Sequence, residues 1–173
     1  MLIEVGGRTL LESALAATRG ARSTVVVGPE RPGFEGFNWL LEDPPGSGPA
    51  HALLAGLNAG SAPLVAVIAA DLPFVTLDSV ERLAGSVGDV DGAVVVDGSG
   101  RDQFLLAVYR RSALTSSLER LRSSIGAPLH DAVGSMDLVR IKDEVASSDC
   151  DTPDDVTAAR RLTEEDEGVR GVD

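Results

Sequence analysis

The sequence predicts an α/β domain on a mostly parallel sheet, and three observations carry that expectation. Short β-branched or aliphatic runs alternate with segments of helical periodicity through most of the 173 residues, the order that builds right-handed βαβ units. Aromatic residues make up only 3% against 43% hydrophobic, so the core must rest on Val, Leu, Ile and Ala, as in strands buried beneath helices. Leu64 to Ala70 is an unbroken apolar run of seven residues ending at Asp71, the pattern of a core strand.

The elements follow in order. Thr9 and Glu12 are spaced as a capping box for a helix whose face continues through Leu11, Ala14, Leu15 and Thr18. Thr24 to Val27 is a β-branched run stopped by Gly28 and Pro29, hence a buried strand, and Asn38 to Leu41 is a second short strand after a loop. The Pro- and Gly-rich stretch from Asp43 to Pro49 leads into a small-residue helix over Ala50 to Asn58. After the Leu64 run, Thr76 caps a helix carrying Val80, Leu83 and Ala84. Ala93 to Val96 and Phe104 to Tyr109, separated by the turn Asp97-Gly98-Ser99-Gly100, read as an antiparallel pair. Helices over Leu114 to Leu121 and Pro128 to Val133, a strand over Leu138 to Ile141 and a helix capped by Thr152 with Pro153 at its first position complete the series.

The length suits one domain over residues 1–162, followed by an acidic tail over 163–173 that is expected to be disordered. A formal charge of -12 argues against nucleic acid or an anionic membrane as partner, because both are bound through Lys and Arg. One cysteine, Cys150, cannot form an internal disulfide. No apolar run approaches the roughly 20 residues that span a bilayer, and the N-terminal segment lacks the basic and apolar regions of a leader. A cytoplasmic location is the expectation.

In sheets of this kind ligands sit outside the carboxyl ends of strands, so the residues just after each strand are the candidates. Three acidic positions fall there: Asp43, Asp71, and Asp151 with Asp149 beside it. Carboxylates gathered at one sheet rim can hold Mg²⁺, which takes oxygen ligands and shares them with substrate phosphates. Any single Asp is most simply a turn former or a helix cap. Asp71 stands apart, because an apolar strand delivers it and Leu72-Pro73 turns the chain away at once. The Asp43 loop could bring backbone N–H groups to a ligand ahead of a helix N-terminus, although it matches neither standard phosphate-binding motif. Gln103 could read a ligand edge or satisfy backbone.

Taken together and in order, five segments resemble the molybdenum cofactor guanylyltransferase family, nucleotidyltransferases with a Rossmann-like three-layer fold. Leu2 to Leu11 is similar to the stretch after the family's signature loop, and Asp43-Pro44-Pro45-Gly46-Ser47-Gly48-Pro49 to its nucleotide loop. Ala69 to Phe74 is similar to its DxPF element, Arg101 to Tyr109 to its pterin-side segment, and Asp149 to Asp155 to its DxDTPED element. The resemblance implies transfer of GMP from GTP to the phosphate of molybdopterin cofactor with release of pyrophosphate, and Mg²⁺ as cofactor. It implies Asp71 as the catalytic and metal-binding residue, with Asp151 and Asp149 as further metal ligands. Asp43, Gly46, Gly48 and Pro49 would bind the nucleotide with Asp71, and Gln103 and Tyr109 would face the pterin. GTP and molybdopterin are the implied partners, with molybdoenzymes or other cofactor-synthesis proteins beyond them. A cytidylyl- or sugar-phosphate nucleotidyltransferase, or a non-catalytic nucleotide-binding relative, are the alternative expectations.

One departure accompanies the resemblance. The family opens with a strand and a glycine-rich, lysine-bearing loop that have no counterpart here, and the sole lysine, Lys142, lies in a late strand. The expectation is therefore a sheet lacking its first, central strand, through either a start assigned too far downstream or degeneration of the site.

Overall fold

The computed structural model describes residues 3–121 and 126–170, and the side chains of residues up to 164 among them. A two-stranded hairpin, β1 (Glu4–Val5) and β2 (Arg8–Thr9), opens the chain around Gly6 and Gly7, whose φ of 56° and 72° only glycine adopts readily. The helix α1 (Leu10–Ala17) follows, with the Thr9–Glu12 capping box formed in both directions. Parallel strands β3 (Val25–Val27) and β4 (Asn38–Leu40) make a separate small sheet. After α2 (Pro49–Asn58), the main sheet contains β5 (Leu64–Ile68), β6 (Gly92–Val96), β7 (Asp102–Arg110) and β8 (Leu138–Lys142), in the order β5-β7-β6-β8. β5 and β6 run antiparallel to β7, and β8 runs parallel to β6, so three of these four strands share one direction. The hairpin β6–β7 carries a register shift between Val94 and Val95.

Period-two alternation sorts the central strands into two apolar layers. Val94, Ala107 and Tyr109 face α2, α4 (Arg111–Glu119) and α5 (Leu129–Val133), while Ala93, Val95, Leu106 and Val108 face α1 and α3 (Leu77–Ser86). The result is the three-layer α/β arrangement. A third cluster, Val5, Leu10, Cys150, Val156 and Ala159, packs the opening hairpin against α6 (Pro153–Arg170), and Arg160 Nε donates to the Glu4 carbonyl at 3.0 Å. No helix among the described residues is long and apolar enough to cross a membrane.

The structure differs from the sequence expectations in two places. The Leu64 run is not a core strand: β5 has one hydrogen-bonded neighbour, its Leu64 is 36% exposed, and the fully buried strand is β6. β3, expected to be buried, is half-buried for the same reason, having only β4 beside it. Apolar composition marks a strand as able to be buried, and the number of neighbours decides whether it is. The two sheets share no ladder, yet α2 lies against both, with Gly56 beside Val27 and Leu53 and Leu54 packed with Val65 and Val67. α6 continues through Arg170, across the Glu164–Glu167 run. Residues 171–173 of the expected tail lie outside the described residues.

Candidate active site

β5 ends at Ile68, and Ala69 N–H donates to the Leu105 carbonyl at 2.7 Å, so the chain stays on β7 almost to Asp71. Leu72 and Val75 are buried in the second apolar layer and Phe74 packs on the third cluster, which anchors the turn behind Asp71. The Asp71 carbonyl accepts the Cys150 N–H at 3.1 Å, and this bond brings residues 149–151 to the end of β5. On the far side, Thr152 and Asp155 close a capping box: the Asp155 carboxylate accepts the Thr152 N–H and hydroxyl at 2.7 Å each, and the Thr152 hydroxyl accepts the Asp155 N–H at 3.2 Å. Asp149 and Asp151 are thus held between a buried Cys150 and a capped helix, both exposed and both near half-buried Asp71.

The electrostatics follow from that placement. Burial raises the Asp71 carboxyl above its ordinary range, only partly offset by its own backbone N–H, and the negative charges of Asp151 and Asp149 raise it further. Among the described residues no ion pair reaches these three carboxylates. Burial and the neighbouring Asp155, Asp149 and Asp71 also push the Cys150 thiol up, which makes it a poor nucleophile.

The Asp43 loop belongs to the other sheet, after β4. Its Asp43–Pro44 bond is cis, and Gly46 and Gly48 hold φ of 77° and 94°. Glu42 accepts the Gly46 N–H at 2.8 Å, and the Ser47 N–H donates to the Pro44 carbonyl at 3.2 Å. Gly48 caps α2 without a side-chain bond and Pro49 occupies its first turn, so the helix presents its amino end uncovered by any side chain. Glu42 and Ser47 are loop residues that sequence reasoning did not single out. Ser47 is 1% exposed, and its hydroxyl has no hydrogen-bond partner among the described residues, a feature no sequence pattern announces.

Neither pterin-side candidate joins the Asp71 group. The Gln103 amide donates to Asp97 at 2.7 Å, in the turn where Asp97 also accepts from Ser99 and Arg101, contacts that hold the Asp97 carboxyl far below the usual range. Tyr109 is fully buried in the first apolar layer, its hydroxyl donating to the Phe104 carbonyl at 2.9 Å, and burial raises its pKa. This placement makes Tyr109 a core residue and removes its side chain from any ligand surface. Tyr109→Phe should accordingly leave turnover intact and cost about 1 kcal/mol of stability through the unmatched carbonyl. Steady-state rates beside chemical denaturation check this; lost turnover at unchanged stability would put Tyr109 on the substrate.

A family model described as the MobA-like NTP transferase domain matches residues 1–133. A probable molybdenum cofactor guanylyltransferase of Mycobacterium tuberculosis is 32% identical over 129 residues, covering 70% of this chain and 62% of that protein. One of the same description from Chloroflexus aggregans is 32% identical over 168 residues, covering 87% of this chain and 78% of that protein. The chain therefore spans less than two thirds of the length of its mycobacterial relatives. Among solved structures, molybdopterin-guanine dinucleotide biosynthesis protein A from Archaeoglobus fulgidus superposes with a TM-score of 0.73 at 20% identity, over 95% of this chain and 90% of that one. The 2-C-methyl-D-erythritol 4-phosphate cytidylyltransferase of Thermus thermophilus gives 0.74 at 24%, over 94% and 92%. At these identities the two structures speak for a shared Rossmann-like fold.

Proposed function

The chain belongs to the MobA-like NTP transferase domain family, and from that premise we propose that it transfers GMP from GTP to the phosphate of molybdopterin cofactor, releasing pyrophosphate. The observation that supports this best is Asp71, set at the end of β5 with Asp149 and Asp151 brought to it and, among the described residues, no basic residue paired to any of the three.

The oxygen donors of those carboxylates suit a hard divalent cation in chemistry, and their mutual repulsion would be relieved by one. Among the described residues no group of three or more His, Cys, Asp or Glu is arranged to hold a metal by itself, and Asp71 and Asp151, with Asp149, would hold Mg²⁺ only together with phosphate oxygens of the substrate. When bound, Mg²⁺ neutralises charge developing on the triphosphate. Asp71 fixes the position of that charge because its turn is anchored in the core. The Asp43 loop holds the nucleotide by its backbone: Gly46 and Gly48 bend it, and the uncapped amino end of α2 favours an anion or an electron-rich base edge. The pterin phosphate then attacks the α-phosphorus in line, and most of the rate comes from positioning.

GTP with Mg²⁺ should raise the melting temperature, by about 2.7 kcal/mol of added stability at a hundredfold excess over Kd. CTP and ATP should raise it less. Equal shifts with all three would remove the case for guanine and favour a different nucleotide, and no shift at all would remove nucleotide binding. Pyrophosphate release that requires both GTP and molybdopterin completes the test.

A further inference from the structure

One concavity lies apart from the aspartates. A cavity of about 560 Å³ opens between α1 and the segments that lead into β3 and β4, and Arg8, Arg19 and Arg22 stand around it. Thr24 precedes β3 and Phe37 precedes β4, and these strands are parallel, so the cavity sits at their amino ends, whereas the Asp43 loop leaves from the carboxyl end of β4.

Three arginines around one concavity are conspicuous in a chain of net charge -12. Most other arginines are committed: Arg140 to Asp102, Arg82 to Asp143, and Arg110 and Arg111 to backbone carbonyls. The guanidinium groups of Arg19 and Arg22 make no hydrogen bond or ion pair among the described residues. Glu12, the acid in the lining, is already engaged by the Thr9 N–H at 2.7 Å and hydroxyl at 2.8 Å, with Arg8 nearby. Leu15, Ala16 and Phe37 supply an apolar wall. The volume lies within the range of small-molecule sites, and guanidinium forks match phosphate oxygens in pairs.

We infer that this cavity is a second ligand site that takes an organic phosphate: the phosphate on Arg19 and Arg22, the apolar or aromatic body against Leu15, Ala16 and Phe37. It is independent of the site around Asp71 and of the transferase reading.

Phenyl phosphate is a suitable probe, and the sole tryptophan, Trp39, two residues beyond Phe37 and bonded through its indole N–H to the Phe34 carbonyl at 3.0 Å, is a built-in reporter. Titrating the full chain with phenyl phosphate should give saturable calorimetric heat and a Trp39 emission change, without added Mg²⁺. The exposed double variant Arg19→Ala/Arg22→Ala should bind about tenfold more weakly or not at all, given the worth of charge-assisted hydrogen bonds. Asp71→Asn should bind as the parent does. No saturable heat in the parent, unchanged affinity in the double variant, or loss of binding in Asp71→Asn would each overturn the inference.

Discussion

Asp71→Asn is expected to lower turnover by about 10²–10³-fold while making the folded chain more stable at neutral pH. The two effects share one cause. Asp71 is half-buried, faces the charges of Asp149 and Asp151, and has its carboxyl raised by that surrounding. Folding therefore opposes its ionisation: between the ordinary aspartate value and the raised one, the native state binds more protons than the unfolded state. Stability attributable to this group falls as pH rises through that window, and is restored as pH falls below it. Asparagine keeps the size and the polar contacts and removes the charge. The gain would appear as a rise in melting temperature at pH 7, a small one because solvent screens the half-exposed carboxyl. The same charge is what a metal–triphosphate complex would need, so its removal should lower kcat/KM by about 10²–10³-fold. Thermal melts across pH and GTP-dependent pyrophosphate release check both. Retained turnover would end the proposed role of Asp71, and a lower melting temperature would end the electrostatic account.

Gly92→Ala should be the most damaging single-methyl change in the sheet. A Cβ at Gly92 would stand 2.7 Å from the Val108 carbonyl oxygen, 2.9 Å from the Tyr109 ring and 3.1 Å from Leu138. The first of these is backbone of the neighbouring strand, which cannot rotate aside. β6 is buried along its whole length, between β7 and β8, so the strain has no edge through which to relax. Overpacking of this kind costs about 3 kcal/mol, a loss of about 8 °C for a chain of this size. Gly85→Ala, at an exposed position of α3 with nothing within 4 Å of the added methyl, is the matched control and should be neutral or stabilising by about 0.5–1 kcal/mol. Similar melting temperatures for the two variants would show that the sheet yields at Gly92.

What was legible in the sequence was what neighbours in sequence decide. The caps at Thr9, Thr76 and Thr152 and the β6–β7 hairpin are local chemistry, and the structure shows each of them. The Gly6-Gly7 turn was equally local, and its two positive-φ residues were the signal for the hairpin that sequence reasoning passed over. The approach of Asp149 and Asp151 to Asp71 depends on a bond from Cys150, far along the chain, and only the order of the motifs hinted at it. Strand alternation leaves the choice of face open for Tyr109, and it is the helices α2, α4 and α5, distant in sequence, that bury it.

The outer edge of β8 carries Arg140 and Lys142, whose charges discourage another chain from adding to the ladder. β5 has no such guard. Its free side offers Leu64, Val65 and Ala66, and β3 offers Val25, Val26 and Val27, short apolar runs without a charge or a proline among them. Among the described residues no further strand is paired to either border, and edges of this kind invite pairing with another chain. The -12 formal charge opposes such pairing, as a long-range repulsion that salt screens beyond about 8 Å at physiological ionic strength. The colloidal behaviour of this protein is accordingly written in two unguarded strands and in the ionic strength that surrounds them.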